Sequence, residues 1–262
     1  VYAEMSSINP VFLLPGALAA RAEALGKAFV ASLTMGAGQF CTNPGLVLAL
    51  EGPDLDRFVT SASEAMFGAP SQVMLTPGIH KAYTSGVARW ASAPALKLLA
   101  EGQEPTGPTS GRGALFTMSG ADFIADPSHA EEVFGAASLL VRCADIDELR
   151  KVVTLLEGQL TATLHLEESD TAVAQLLLPV IEHLAGRILA NGWPTGVEVT
   201  DAQVHGGPFP STSDGRSTSV GTLAIERFLR PVAYQDLPAA LLPAELRDDS
   251  TIPRRVDGKP TL

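Results

Sequence analysis

The stretch SLLVRCADIDELRKVVTLLEGQLTATLHLE, residues 138–167, passes from strand to helix and back to strand. Residues 138–143 (SLLVRC) form a short, mostly apolar run. Residues 145–158 (DIDELRKVVTLLEG) carry acidic side chains early, where the helix dipole favours them, and a glycine at the end, a common helix stop. Residues 159–167 (QLTATLHLE) alternate with the period of a strand. Two strands joined by a helix of crossover length are the unit of a parallel sheet.

The alternation extends in both directions. Val1 and Tyr2 read as an opening strand, and residues 16–33 as an amphipathic helix with Leu18, Leu25, Phe29 and Leu33 on one face. LVLAL (46–50) is a short buried strand. A helix follows over 54–68, with Asp54 as N-cap and Gly68 as stop, and another over 76–92, with Pro77 in its first turn. GRGALFTMSG (111–120) contains a strand. Residues 170–186 are helical, with Pro179 expected to kink or split them, and RILANG (187–192) returns to strand. The expected fold is α/β: an open, mostly parallel sheet with flanking helices.

Residues 191–221 form a long stretch rich in Gly, Pro, Ser and Thr, the kind of loop that is usually functional or disordered. From Thr222 the chain reads as a strand over 223–229 and then a Pro- and charge-rich extension. That tail is poorly equipped for a core of its own. The expected division is therefore a main domain over 1–221 and a C-terminal arm over 222–262 that packs on something else.

Composition narrows the partners. The 262 residues are 46% hydrophobic and 18% charged, enough apolar surface for a sizeable core. A net charge of −11 argues against a nucleic-acid backbone or an anionic membrane surface. Two cysteines, Cys41 and Cys143, make neither a disulfide framework nor a zinc motif and suggest a reducing compartment. No signal-peptide pattern opens the sequence, and its longest apolar run (171–190) is interrupted by polar residues and Pro179. A cytoplasmic location is expected. The sequence starts at Val1 rather than Met, which reads as a chain cut from a longer one.

Three segments hold residue types suited to chemistry. In MGAGQFCTNPG (35–45), glycines allow close backbone approach to Cys41, and Pro44-Gly45 fix a turn behind it. A cysteine so placed is either an accessible nucleophile or a small buried hydrophobe. Glu4 lies where a strand end could project it into a cleft, or is a solvated carboxylate at a ragged terminus. EEVFG (131–135) is an acidic pair before an aromatic, or a solvated turn with Phe134 anchored in the core.

Taken in order, these segments resemble the aldehyde dehydrogenase superfamily. GQFCTNPG is similar to the segment that bears the nucleophilic cysteine. AEMSSINPVFLLP resembles the ELGGKNP segment, whose glutamate is the general base. EEVFGAASLLVRC resembles the EEIFGPV segment, whose second acid and aromatic contact the nicotinamide ribose. NGWPTGVEV and HGGPFPSTSDGRSTSVG resemble the late loop and pocket segments, in wording closest to the 2-oxoglutarate-semialdehyde and NADP-linked fatty aldehyde branch. The resemblance implies Cys41 as nucleophile, Glu4 as base, Glu132 and Phe134 as cofactor contacts, Phe209 as a pocket wall, NAD or NADP as cofactor, an aldehyde substrate and a homo-oligomer. Ser6-Ser7 and Ala136 depart from the family's Gly-Gly and Pro. It also implies that the cofactor-binding half, with its glycine-rich fingerprint, lysine and oxyanion-hole asparagine, is absent from these residues.

The implied chemistry is thiohemiacetal formation on Cys41, hydride loss to NAD(P)+, and hydrolysis of the thioester by water that Glu4 activates, its acidity tuned toward neutral by partial burial. The isolated chain is then expected to be inactive as a dehydrogenase. Two other readings stand beside it: a cysteine hydrolase or acyltransferase using Gln39 as oxyanion donor, and a silent oligomerisation fragment. The hydrolase needs a histidine partner, and none is obviously poised in the sequence. His165 and Cys143 read as packing residues; His205 opens the late loop and could line an entrance, and Arg216 on the same loop could pair with a substrate carboxylate, although an exposed arginine in a Ser/Thr loop is ordinary.

Overall fold

In the computed structural model, residues 1–197 and 200–261 are described. The chain divides into two compact units, Val1–Arg227 and Phe228–Leu262. The first begins with strand β1 (Val11–Leu13), helix α1 (Pro15–Thr34), β2 (Leu46–Leu50) and α2 (Pro53–Gly68). The two-residue strand β3 (Gln72–Val73), α3 (Pro77–Ser92), β4 (Lys97–Glu101) and the two-residue β5 (Ser110–Gly111) follow. Then come β6 (Ala114–Ser119), α4 (Gly120–Ala125), β7 (Ala137–Cys143) and α5 (Ile146–Thr154). The series ends with β8 (Gln159–His165), α6 (Thr171–Leu184) and β9 (Ala185–Ala190).

Seven strands make one sheet in the order β4-β6-β7-β2-β1-β8-β9. Each neighbouring pair is parallel except β4 with β6. β1 and β2 sit at its centre, which is why VFL and LVLAL are apolar on both faces. Alternate residues supply two cores. Phe12, Leu48 and Val141 face Trp90, Phe123 and Leu177; Val11, Leu13 and Val47 face Phe29 and Phe58 of α1 and α2. The second unit carries an antiparallel pair, β10 (Arg254–Val256) with β11 (Lys259–Thr261). Among the described residues, no helix is long and apolar enough to cross a membrane.

Leu14 and Pro15 offer no capping side chain to α1. The carboxylate of Asp170, buried just before α6, supplies the cap instead: Oδ1 accepts from Gly16 N at 2.7 Å and Oδ2 from Ala17 N at 3.1 Å. A tertiary contact thus does what a local residue usually does.

Several expectations need correcting. Val1 and Tyr2 are exposed and form no strand; the first strand is Val11–Leu13, behind the Asn9-Pro10 corner. Residues 222–228 are a 3-10 helix, not a strand, with Leu223 and Ile225 left exposed rather than buried on a sheet. Gly52 rather than Asp54 is the N-cap residue of α2, since Pro53 already takes the first helical position. Pro179 does not split α6. The antiparallel edge strand β4 has no alternating pattern and escaped notice.

Asp170→Ala leaves the amides of Gly16, Ala17 and Glu167 without their acceptor. Urea denaturation should show a loss of about 2 kcal/mol, the upper range for a lost cap; an unchanged midpoint would refute the tertiary cap.

Candidate active site

In a parallel sheet the segments that lead into the strands all lie at one edge. Glu4 to Asn9 lead into β1, Cys41 to Gly45 into β2 and Glu132 to Gly135 into β7, while Gln159 opens β8. The sheet order places these four strands side by side, β7-β2-β1-β8.

Asn9 ties them together. It is fully buried with φ +49°, a left-handed conformation that asparagine tolerates better than most residues. Its Nδ2 donates to the carbonyls of Cys41 and Asn43, each at 2.9 Å, and its Oδ1 accepts from Thr161 Oγ1 at 3.0 Å. Gln159 Oε1 accepts from the amides of Ile8 and Asn9 at 2.7 and 3.0 Å. Asn43 Nδ2 donates to Gly135 O, joining the cysteine turn to the EVFG turn. The two turns touch so closely that a Cβ on Gly38 (φ +69°) would lie 2.2 Å from Gly135 C. Only glycine fits there.

The late loop returns along this edge. Ser213 N donates to Ala3 O and Met5 N to Ser211 O, holding Glu4 opposite Thr212. His205 is fixed by its own backbone: its N–H donates to Thr218 Oγ1 and its carbonyl accepts from Ser219 N. The imidazole Nε2 then lies 3.2 Å from Cys41 Sγ and 3.1 Å from Glu4 Oε2. Cys41 is partly exposed and His205 is 4% exposed. Contact with the Cys41 sulfur first, and with the Glu4 carboxylate second, pushes the imidazole up to about 9 despite its burial. The hydrogen bond from His205 holds the Glu4 carboxyl below its usual 4.5, outweighing burial. That corrects the expectation of a carboxyl tuned toward neutral: the histidine, which sequence reasoning did not supply, reverses the sign. His205 Nδ1 is buried without a hydrogen-bond partner among the described residues.

Glu132 Oε2 accepts from Ser6 Oγ at 2.9 Å, and burial raises its carboxyl. Ser7 Oγ lies within 3.0 Å of both Asn9 Oδ1 and Gln159 Oε1 and accepts from Leu160 N. The two serines that stand where the family has glycines are therefore both engaged. Glu132, Ser6, Gln159 and Pro210 line a cleft of about 540 Å3 at this edge, and the Phe134 ring is exposed nearby. Phe209 is 77% exposed and lines none of the described cavities. Gln39 Nε2 donates to Gly36 O and its Oε1 accepts from Leu75 N, which anchors the amide beside the cysteine turn. Glu4, Cys41 and His205 place one ligand atom each within 4.8 Å of one another, so they are also the group among the described residues that could hold a metal ion.

The structure thus brings Cys41 and Glu4 onto one imidazole and sets Glu132 at the adjoining cleft, with Phe134 two residues on and outside its lining. His205 was read as an entrance residue; the HGG that contains it was its only local signal. Of the NGWPTGVEV segment, Glu198 and Val199 lie outside the described residues.

No family model matches the chain. It is 56% identical over 261 residues to an alpha-ketoglutaric semialdehyde dehydrogenase 2 of Azospirillum brasilense, covering 99% of this chain and 50% of that protein. It is 45% identical over 260 residues to the alpha-ketoglutaric semialdehyde dehydrogenase of Acinetobacter baylyi, covering 98% and 49%. The chain spans about half the length of these curated relatives. Its fold matches the crystal structure of an NAD-dependent aldehyde dehydrogenase from Sinorhizobium meliloti with a TM-score of 0.67, at 19% identity, over 89% of this chain and 47% of that one. At that identity the likeness is one of fold.

Two measurements test the site. Asn9→Ala strands the buried carbonyls of Cys41 and Asn43 and puts a Cβ-only residue at positive φ, so denaturation should show a loss of about 3 kcal/mol. The His205 shift is upward, so its stabilisation is full below the ordinary 6.5 and fades as pH rises through about 9. Glu4 works oppositely, stabilising above 4.5 and losing this as pH falls through its lowered value. The unfolding free energies of wild type and His205→Ala should therefore converge as pH is raised from neutral past about 9; a constant gap would contradict the ion pair.

Proposed function

We propose, from the premise that this chain belongs to the aldehyde dehydrogenase superfamily, that it carries the thiol-catalytic half of an NAD(P)-linked enzyme oxidising a semialdehyde of the 2-oxoglutarate type to its acid. The observation that carries this reading is the convergence of Cys41 Sγ and Glu4 Oε2 on His205 Nε2. The imidazole beside Sγ can take up or share the thiol proton as sulfur attacks an aldehyde carbon. The new C–S bond makes a thiohemiacetal. Its oxyanion can accept from the Cys41 backbone N–H, which has no acceptor among the described residues.

NAD(P)+, when bound, supplies the acceptor for the hydride leaving that carbon. Glu132, at the adjoining cleft, offers a carboxylate to ribose hydroxyls, and the exposed Phe134 ring offers a flat apolar contact. In the second half of the reaction Glu4 takes a proton from water as its oxygen adds to the thioester carbon. The C–S bond then breaks and sulfur returns to its place beside His205. With the three groups this close, Glu4 and His205 hold the proton as one coupled unit.

Two further parts of the reading concern what these residues do not carry. The 262 residues contain no glycine-rich dinucleotide fingerprint, and the relatives are about twice as long, which supports a cofactor half outside this chain and no dehydrogenase turnover by these residues alone. The second unit exposes Phe228 (87%) and Leu241 (67%), which supports its reading as an oligomerisation arm.

A cysteine hydrolase is the second reading, and His205 beside Cys41 is the observation that favours it. The intact protein separates the two. Supplied with NAD(P)+ and a dicarboxylic semialdehyde, wild type should form NAD(P)H and Cys41→Ala none; turnover retained by that variant would overturn the dehydrogenase reading. Glu4→Gln should keep a first burst of NAD(P)H and lose steady turnover by about 100-fold or more. Ester hydrolysis without any NAD(P)H formation would establish the hydrolase.

A further inference from the structure

The three side chains that meet under the late loop are also a set of metal ligands. Cys41 offers a sulfur, His205 a ring nitrogen and Glu4 a carboxylate oxygen, and the three atoms lie within 4.8 Å of one another. Zinc bonds such donors tetrahedrally at about 2.3, 2.0 and 2.1 Å, which sets sulfur about 3.5 Å from nitrogen and nitrogen about 3.4 Å from oxygen. Here Sγ is 3.2 Å from Nε2, and Nε2 is 3.1 Å from Glu4 Oε2. An ion seated between them therefore spreads those pairs only slightly. Glu4, the least buried of the three, has the freedom to close the remaining gap to sulfur.

The donors are fixed in place by their own backbones. Asn9 Nδ2 holds the Cys41 carbonyl. His205 donates its N–H to Thr218 Oγ1 and accepts from Ser219 N at its carbonyl. Glu4 lies between Ala3 O and Met5 N, both tied to the late loop. A site so ordered costs little conformational entropy to fill. Charge agrees with geometry: a thiolate and a carboxylate beside a neutral imidazole balance a divalent cation, and a chain of net charge −11 draws cations to its surface. The donor types select the metal. Magnesium and calcium take oxygen ligands, whereas sulfur with imidazole suits zinc and its thiophilic neighbours. Cys143, the other thiol, is buried and joins no such group among the described residues.

We propose that Cys41, His205 and Glu4 form a binding site for one zinc-type divalent cation, and that the ion switches the enzyme off reversibly. On binding, the Cys41 S–H bond breaks, its proton passes to solvent and a metal–sulfur bond forms. His205 and Glu4 complete three protein ligands, and water takes the fourth position. No oxidation state changes. The metal then holds the electron pair that sulfur would offer to an aldehyde carbon, and the carboxylate that would take a proton from water. Both halves of the reaction stop together, and removal of the ion restores the free thiol. Ion binding stands apart from the reading of Cys41 as the nucleophile; the shut-off rests on it.

The test uses the intact protein without cofactor or substrate. Calorimetric titration with Zn2+ should give one tightly bound ion per chain. Co2+ should produce sulfur-to-cobalt charge transfer and the strong visible bands of four-coordinate cobalt, and Cys41→Ser should abolish the charge-transfer band. His205→Ala and Glu4→Gln should each weaken Zn2+ binding by about 100-fold, the upper end for groups that merely orient a ligand and so a floor for a ligand itself. Weak six-coordinate cobalt bands in the wild type, or a Zn2+ affinity unchanged in both variants, would overturn the site. The wild-type spectrum decides this even where a variant fails to fold. With NAD(P)+ and succinic semialdehyde added, one equivalent of Zn2+ should abolish NAD(P)H formation and a chelator should restore it; full turnover with zinc bound would overturn the shut-off. Failure of the dehydrogenase reading looks different: the metal-free protein would form no NAD(P)H, while the cobalt spectrum would persist.

Discussion

The amide of Asn9 is the constraint on which the rest of this site depends. One side chain, buried at the entrance to β1, bonds the carbonyls of Cys41 and Asn43 on one side and the hydroxyl of Thr161 on the other. Three strands that are distant in sequence are thereby locked at their leading ends. Such a group is held firmly because every alternative leaves buried carbonyls unpaired. Asn43 and Gln159 extend the same network to the EVFG turn and the start of β8. The geometry of Cys41 relative to Glu4 follows from this backbone bonding together with their shared contact with His205.

On that frame the late loop adds the electrostatics. It reaches the edge through close backbone approach, glycine against glycine at 186 and 206, and brings an imidazole to two groups that would otherwise sit in mismatched surroundings. The carboxylate and the sulfur raise the imidazole, and the imidazole lowers the carboxyl. Each shift is the reciprocal of another, so none belongs to a single residue.

The elements that sequence reasoning placed well are those whose burial is two-sided or strictly periodic: β2, β7, β8, α1, α3 and α5. Strand β4 was missed because an edge strand need not be apolar, and KLLAE leaves its first two residues exposed. Residues 223–229 carry strand-like residues yet form a 3-10 helix, since pattern alone does not provide a neighbour to pair with. Among candidate site residues, Cys41, Glu4, Glu132 and Phe134 were singled out through ordered resemblance. His205 was not, because a histidine on a glycine-rich loop is chemically informative only when its partners are known.

The sequence by itself determined the α/β class and the buried central strands, which follow from hydrophobic period, a local property; it singled out Cys41 and Glu4 only through the ordered resemblance of several segments. Only the tertiary structure decided that Asp170 caps a helix more than a hundred residues earlier, that Ser6 and Ser7 are bonding groups rather than substitutes for glycine, and that Cys41 and Glu4 share one imidazole. Each of these joins chain segments far apart in sequence at the leading edge of a parallel sheet. Strand order and loop path set such meetings, and neither is written in any single stretch of residues.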